Sequence, residues 1–215
     1  MVHVLSESNS IINQFIAEIR DIEVQNDRMR FRRNLERIGE IAAVEISKVL
    51  PYIIKEVVTP LGISPVPVLA EQPVVATILR AGLPLHQGIL NYFDHADNAF
   101  VSAYRKHHKD GSFEIHLDYL SSPSLDNRIL ILADPMLATG ASMVVTFKAM
   151  MEKGKPKHTH IVAALASTQG VEYLKKHLPE EITIWIAAID EELTAQGYIV
   201  PGLGDAGDLA FGIKL

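Results

Sequence analysis

Short apolar runs alternate with segments of helical periodicity along most of this chain. Each run is brief and rich in branched apolar residues, as expected for a buried strand. The helical segments between them include a long one that ends before Pro51. Alternation at this spacing predicts an α/β fold, with a mostly parallel central sheet flanked by helices and ligands beyond the carboxyl ends of its strands. The candidate strands are residues 74–79, 100–104, 128–133, 160–166 and 182–189, and the candidate helices include 31–49, 142–153 and 171–177.

Length and composition predict one globular domain over residues 1–215. The hydrophobic fraction is 48% and the charged fraction 21%, both ordinary for a folded soluble protein. No apolar run approaches the roughly 20 residues that a bilayer requires, and the first ten residues do not have the pattern of a secretory signal. We therefore expect a cytoplasmic protein with no membrane partner.

The absence of cysteine and the net charge exclude several functions. With no cysteine, the chain has no disulfides, thiolate metal sites or thiol nucleophiles. The net charge of −6 argues against a general nucleic-acid surface, which would present a basic face. Local groups must therefore hold any anionic ligand.

The stretch from Asp134 to Ser142 follows a candidate strand and precedes a helical segment. Strand, glycine turn and helix start together aim backbone N–H groups and the positive end of the helix dipole at one point. Thr139 and Ser142 add hydroxyl donors, and the carboxylate of Asp134 can accept two hydrogen bonds from a sugar diol. This pattern predicts a site for phosphate and ribose. A purely structural turn capped by Thr and Gly is the alternative, and the ending of a P-loop is absent.

Two arginines also follow candidate strands. Arg80 comes directly after the strand 74–79, and Arg105 follows 100–104. Their planar guanidinium groups suit a diphosphate, and two of them at neighbouring strand ends fit one polyanion better than either alone. A surface salt bridge is the alternative for Arg80.

The glycines between Gly202 and Gly207 match the dinucleotide pattern G-x-G-x-x-G but lie too close to the end of the chain for a βαβ unit. Glycines let a backbone approach a planar ligand closely, so that its N–H and C=O groups can match an imide edge. A flexible C-terminal loop is the alternative.

No dedicated metal site is visible in the sequence. His107 and His108 are adjacent and His158 and His160 are two apart, so neither pair has metal-binding helical spacing, and we expect solvated loop histidines. Carboxylates are hard oxygen donors, and they suit a magnesium ion that arrives with a phosphate ligand. The candidates are Asp134, Asp190 and Asp205.

Three motifs together resemble those of the uracil phosphoribosyltransferase family, which has the type I phosphoribosyltransferase fold. They are ILRAG at 78–82, DPMLATGAS at 134–142 and YIVPGLGDAGD at 198–208, and the resemblance extends from about residue 31 to 212. It implies pyrimidine salvage, in which the phosphoribosyl group of phosphoribosyl pyrophosphate (PRPP) is transferred to uracil, giving UMP and pyrophosphate. The implied fold has a C-terminal base-binding hood, residues 190–215, a helical segment at 1–50 and a flexible loop or hairpin at 105–122 that covers the site.

The resemblance also implies roles for individual residues. Arg80 and Arg105 would contact pyrophosphate, Asp134 the ribose hydroxyls, and the Asp205 carboxylate would face PRPP. These arginines and Asp205 are the implied catalytic residues, and Mg²⁺ is the implied cofactor. The implied PRPP-binding residues are Arg80, Arg105, Asp134, Pro135, Met136, Leu137, Ala138, Thr139, Gly140, Ala141, Ser142 and Asp205, and the implied uracil-binding residues are Ile199, Gly204, Asp205 and Ala206.

Family members also imply a homodimer or higher homo-oligomer, and some are activated by GTP, which no motif of this chain indicates. The chain departs from many relatives after Arg105, where Lys106-His107-His108-Lys109 replaces Asn-Glu-Glu-Thr. Two other functions stay open at this stage. One is a phosphoribosyltransferase for another base, and the other is a PRPP-binding regulatory protein.

Overall fold

A computed structural model describes residues 1–107 and 113–214, with the side chains of 103–107 and 113–116 left out. The helices are α1 (Ile12–Arg20), α2 (Arg28–Ser47), α3 (Leu83–Leu90), α4 (Ala141–Met150), α5 (Thr168–His177) and α6 (Ala206–Phe211), and a 3₁₀ turn covers Met151–Lys153. The strands are β1 (Val2–Val4), β2 (Tyr52–Thr59), β3 (Gly62–Leu69), β4 (Val74–Leu79), β5 (Asp97–His107), β6 (Phe113–Ser121), β7 (Ile129–Ala133), β8 (Met136–Leu137), β9 (His158–Ser167), β10 (Thr183–Asp190), β11 (Glu192–Leu193) and β12 (Ile199–Val200).

The central sheet has the strand order β1-β10-β9-β7-β4-β5-β6, with the short β8 paired to β9. Its pairings are parallel except between β5 and β6, which form an antiparallel hairpin. The predicted α/β class and mostly parallel sheet are confirmed. The expected hairpin at 105–122 is longer than predicted, because pairing begins at Phe100 and Ser121, and its tip lies outside the described residues.

The strand order reverses direction between β4 and β7. From β4 the chain moves outward to β5 on one side, and from β7 it moves to β9 and then β10 on the other. Because the connecting segments lead away from each other, a crevice opens at the carboxyl ends of β4 and β7. Open α/β sheets bind their ligands at such a reversal.

Apolar side chains cover both faces of the sheet. One layer joins Phe31, Leu35 and Ile38 of α2 to sheet residues such as Ile131 and Trp185, all of them buried. The other packs Phe147 of α4 and Leu174 of α5 against Leu130 and Leu132. The alternate residues of β7 thus belong to opposite layers, as a strand buried on both faces requires.

Helix α2 forms where the periodicity predicted it and sets the position of α3. The Asp27 side chain caps its start by accepting the Arg30 amide at 3.0 Å. The two helices touch through their backbones, because a Cβ added to Gly88 would lie 1.9 Å from the Glu36 carbonyl oxygen and one added to Gly39 would lie 2.2 Å from the Leu85 carbonyl oxygen. In the described part of the chain, no helix is long and apolar enough to cross a membrane.

Strands β2 and β3 form an exposed hairpin that the sequence did not predict as one. Pro65 and Pro67 lie within β3. Proline fits here because β3 pairs only with β2 among the described residues, so the missing N–H groups interrupt no second ladder. Large apolar side chains remain exposed on this hairpin, including Ile54 at 68%, Val58 at 83% and Leu61 at 100%.

The expectation of solvated loop histidines is wrong for His158 and His160, which lie in β9. His160 is buried, and its Nδ1 accepts a hydrogen bond from Trp185 Nε1 at 3.2 Å. Burial, together with the nearby His158 and His3, lowers the pKa of His160 to about 3. His107 lies in β5, and His108 is outside the described residues.

The lowered pKa of His160 predicts that the free energy of unfolding depends on pH. The unfolded chain binds a proton at His160 below pH 6.5, whereas the folded chain does so only near pH 3, so stability falls as the pH decreases through this window. The expected loss is about 1 kcal/mol for each pH unit. We expect His160→Asn, which retains an acceptor for Trp185, to show a smaller fall in urea unfolding experiments above and below pH 6.5. Equal pH slopes in the variant and the parent would contradict the assignment.

Candidate functional site

The ends of β4 and β7 are joined side by side at the reversal. Thr77 pairs with Ala133 across the two strands, and its Oγ1 donates to the Ala133 carbonyl oxygen at 3.2 Å. Gly82 packs tightly against both strands, because an added Cβ would lie 2.1 Å from Thr77 Oγ1 and 3.2 Å from the Ala133 carbonyl oxygen. The turn that carries Arg80 and the loop that begins at Asp134 therefore start next to each other.

The loop from Asp134 to Ser142 runs along β9 before α4 begins. The Asp134 amide donates to the Val162 carbonyl oxygen at 3.0 Å, and Met136 and Leu137 form β8. Gly140 precedes α4 with a φ of +75°, a left-handed conformation that favours glycine. The first-turn amides of α4 therefore face the end of this loop, where a helix offers N–H groups without partners in the helix itself.

The lower side of this loop packs on the start of α5. Ser167 Oγ donates to the Ala138 carbonyl oxygen at 2.6 Å and accepts the Gly170 amide at 2.8 Å. A Cβ added to Gly170 would lie 2.4 Å from the carbonyl oxygens of both Leu137 and Ala138. These two oxygens, which would repel a phosphate, are thus turned toward α5.

Arg80 reaches from the end of β4 to the C-terminal segment. Its Nη2 lies 3.4 Å from Asp208 Oδ1 and 3.3 Å from the Gly212 carbonyl oxygen, with 43% of the side chain exposed. The surface salt bridge considered from the sequence is therefore present. Both contacts are long, and exposed pairs of this kind contribute about 0–1 kcal/mol, so a stronger anion can displace them at small cost.

Arg105 lies on β5, the strand next to β4. Leu79 pairs with Ser102, so Arg105 is three residues beyond the last paired position of β4 at the same edge of the sheet. Its side chain is not among those described.

The C-terminal hood contains β11, β12 and α6 rather than an irregular loop. Ile199 is buried in β12, and Ala206 is buried at the start of α6. Gly204 has a φ of +96°. Among the described residues, no atom outside its two chain neighbours lies within 4 Å of an added Cβ, so one side of its backbone is open in this part of the structure. Asp205 caps α6 by accepting the Asp208 amide at 3.0 Å through Oδ1, and its Oδ2 lies 3.9 Å from Lys214 Nζ.

An ion pair ties the hood to the rest of the fold. Arg20 Nη1 and Nη2 each donate to one oxygen of Asp190 at 2.8 Å, and Asp190 Oδ2 also accepts the Gly202 amide at 3.0 Å. The interpretation of Asp190 as a cation ligand is therefore wrong, because both of its oxygens are engaged in this buried contact. The described residues contain no group of three or more His, Asp or Glu side chains arranged for a metal.

A cleft and a larger cavity lie at opposite edges of the sheet. A cleft of about 330 Å³ borders the hood at Leu203, Gly204 and Asp205, with Gln25 and Arg28 on its other side. A larger, mainly apolar cavity of about 550 Å³ lies at the amino ends of β7, β9 and β10, beside Trp185 and His160. Cavity volume alone does not locate the candidate site, because open α/β sheets bind their ligands at the opposite, carboxyl edge of the sheet.

Several contacts in this region were missed from the sequence. In the sequence, Thr77 is one more β-branched residue of a predicted buried strand, and no neighbouring residue indicates its contact with Ala133. Ser167 carries a signal, since a serine between a strand and a helix is a favoured N-cap. The pairing of Arg20 with Asp190 spans 170 residues and leaves no local pattern.

Comparison with solved structures identifies the class of protein. The AQ2163 protein of Aquifex aeolicus superimposes with a TM-score of 0.88, at 29% identity over the full length of both chains. A hypoxanthine phosphoribosyltransferase of Staphylococcus aureus has a TM-score of 0.52 at 14% identity, covering 87% of this chain and 84% of its own. The fold is that of the type I phosphoribosyltransferases.

Sequence comparison identifies the family within this class of protein. The uracil phosphoribosyltransferase family model matches residues 6–213. A uracil phosphoribosyltransferase of Porphyromonas gingivalis is 54% identical over 98% of both chains, and one of Pyrococcus furiosus is 36% identical over 96% of this chain and 88% of its own. The chain belongs to the uracil phosphoribosyltransferase family, which confirms the resemblance found in the sequence.

Proposed function

We propose that this protein transfers the phosphoribosyl group of PRPP to uracil, giving UMP and pyrophosphate. One observation carries the proposal beyond family membership. The turn with Arg80, the loop from Asp134 to Ser142 and the hood all lie at the carboxyl edge of the sheet, where the connections that leave β4 and β7 diverge. These are the three parts that a ligand composed of pyrophosphate, ribose phosphate and base requires.

In this reaction a ring nitrogen of uracil attacks the anomeric carbon of PRPP. The bond from that carbon to pyrophosphate breaks, its electron pair leaves with pyrophosphate, and the nitrogen loses its proton. Positive charge develops on the ribose and negative charge on the leaving group. Donors already fixed around those charges lower the barrier, and the loss of one such donor typically costs on the order of a hundredfold in rate. No covalent nucleophile on the protein is needed.

We assign the loop from Asp134 to Ser142 to the ribose phosphate. Its amides, with the hydroxyls of Thr139 and Ser142, would hold the phosphate at the start of α4, and the Asp134 carboxylate would accept the ribose hydroxyls. The turned-away carbonyl oxygens of Leu137 and Ala138 support this assignment, because they leave the upper side of the loop to N–H groups.

Arg80 and Arg105 are assigned to the pyrophosphate. In the free protein Arg80 contacts Asp208 and the Gly212 carbonyl at 3.3–3.4 Å. Pyrophosphate would replace these weak contacts with charge-assisted hydrogen bonds, which are shorter and stronger. Arg80 therefore connects binding of the leaving group to the start of α6, next to Asp205.

Uracil is assigned to Ile199, Gly204, Asp205 and Ala206. The open backbone at Gly204 and its positive φ support reading of the base through main-chain groups, which match the acceptor, donor and acceptor of an imide edge. Orotate would require a cation for its carboxylate, and Arg28 and Lys214 lie near the hood, so orotate is the base that the product assay must exclude.

Magnesium is the proposed cofactor. Mg²⁺ usually retains waters and binds through one or two carboxylates together with substrate phosphates. Asp134 and Asp205 are oxygen donors of this kind, at the two ends of the assigned PRPP site. The bound ion would neutralise negative charge on the departing pyrophosphate. The cytoplasm remains the proposed location, consistent with a chain that contains no cysteine.

The alternative function is that of a regulatory protein, not an enzyme, which binds PRPP and nucleic acid. It would bind PRPP without turnover and need a basic surface, which the net charge of −6 does not favour.

The direct test is product formation. We expect purified protein with Mg²⁺ and PRPP to convert uracil to UMP, and to act far more slowly on cytosine, orotate and hypoxanthine. Chromatography of the nucleotides measures all four reactions. Absence of UMP, with PRPP binding retained, would favour the regulatory rival.

The pyrophosphate assignment predicts that Arg80→Ala and Arg105→Ala each lower kcat/KM for PRPP by about a hundredfold or more. Arg33→Ala is a matched control, since Arg33 is also 43% exposed and paired with carboxylates, but on α2 away from the site. Circular dichroism should show intact folds. Kinetics of both variants equal to those of the control would refute the assignment.

We also propose a homodimer or higher homo-oligomer that buries the β2–β3 hairpin, since exposed apolar patches of this kind mark interfaces. The double variant Ile54→Asp with Val58→Asp should lower the mass measured by light scattering to that of one chain. Ile22→Asp, at a comparably exposed residue outside the hairpin, should leave the mass unchanged. An unchanged mass in the double variant would exclude the hairpin as the interface.

A further inference from the structure

Two buried polar residues end neighbouring strands beneath the assigned site. Ser167 is the last residue of β9 and Asp190 the last of β10, and the two are paired in the sheet. Ser167 is 0% exposed and Asp190 is 8% exposed. Neither is assigned to substrate, yet each contacts a different substrate loop.

Ser167 holds the loop assigned to the ribose phosphate. Its hydroxyl donates to Ala138 and accepts from Gly170, at 2.6 Å and 2.8 Å. A serine hydroxyl has one proton to donate, and here it is directed at the loop. The same side chain caps α5, so the loop is fixed to a helix end rather than to a mobile group.

Asp190 and Arg20 hold the hood through Gly202. The Gly202 amide donates to Asp190 Oδ2 at 3.0 Å, and the Gly202 carbonyl oxygen accepts from Arg20 Nη1 at 3.0 Å. The ion pair therefore binds both main-chain polar groups of one residue. Gly202 has a φ of +56°, and an added Cβ would lie 2.1 Å from the Ile199 carbonyl oxygen, so this turn is also tightly packed.

Main-chain recognition makes such supports important. The position of a backbone N–H donor depends entirely on the contacts that hold the surrounding main chain. Errors of about 1 Å in a site reduce its function greatly. Gly202 lies between Ile199 and Gly204, so its position sets the course of the segment assigned to uracil.

We propose that Ser167 and Asp190 are positioning residues, each of which holds the segment assigned to a different substrate. Ser167 fixes the ribose-phosphate loop for PRPP, and Asp190, with Arg20, fixes the main chain of the hood for uracil. The proposal rests on the proposed function. It adds that two adjacent strand ends support the two substrates independently.

Steady-state kinetics of single variants test this division. Ser167→Ala should raise KM for PRPP about threefold to tenfold, the effect of one buried hydrogen bond, and leave KM for uracil within about twofold. Asp190→Asn should raise KM for uracil about tenfold or more, since charge-assisted contacts are lost, and leave KM for PRPP within about twofold. General destabilisation would change both constants together and would overturn the proposal.

Matched controls separate these effects from the loss of any similar contact. Ser47→Ala removes a hydroxyl that donates to the Val44 carbonyl oxygen at 2.7 Å, at the end of α2 and away from both loops. Glu18→Gln weakens a two-bond pair with Arg30, at 2.7 Å and 2.8 Å, that does not touch the hood. Both controls should leave both KM values unchanged. If Asp190→Asn does not fold, Arg20→Lys retains the charge, removes the two-pronged contact and should raise KM for uracil alone.

Hydrogen exchange of the protein without substrates gives a second reading that does not require activity. Ser167→Ala should speed amide exchange within 136–142 but not within 199–206. Asp190→Asn should speed exchange within 199–206 but not within 136–142. Faster exchange in both segments, or in neither, would overturn the proposal. Failure of the parent protein to make UMP would instead refute the proposed function, and the exchange pattern would still decide the structural division.

Discussion

The parallel pairing of β4 with β7 is the constraint on which the site depends. These two strands are neighbours, but the chain leaves them in opposite directions, so a crevice opens between the two connections at their carboxyl ends. Thr77 and Gly82 hold the two ends close together. As a result, the turn with Arg80 and the loop that begins at Asp134, 54 residues later, lie side by side at the same crevice.

The rest of the fold supports this crevice from two sides. The contact of α2 with α3 at Gly39 and Gly88 fixes the helix that follows the arginine turn. On the other side, α5 supports the phosphate loop, and the ion pair of Arg20 with Asp190 holds the hood. The pair is partly buried, with Arg20 22% and Asp190 8% exposed, so removing Arg20 would leave the charge of Asp190 without its partner. Ser167, Asp190 and Arg20 thus contact the main chain of the loop and the hood that we assign to the substrates.

The sequence predicted what depends on local pattern. Alternating apolar runs predicted the parallel sheet, and the strand, glycine turn and helix start around 134–142 were predicted because they are contiguous in sequence. Contacts between distant segments were not predictable in this way. Asp190 was interpreted as a cation ligand, since nothing near it in sequence indicates Arg20. The β2–β3 hairpin was missed because Pro65 and Pro67 usually argue against a strand, and they are tolerated here only at an edge. His160 was misjudged because its environment is formed by Trp185 of the neighbouring strand.

A crystal structure of the protein with UMP would test the central claim most directly, because UMP contains both the ribose phosphate and the base. The account predicts that its phosphate lies on the amides of the loop ending at Ser142, and that its base meets the main chain between Ile199 and Ala206. Its ribose should lie beside Asp134. UMP bound with its phosphate away from this loop, or in the apolar cavity at the opposite edge of the sheet, would contradict the account.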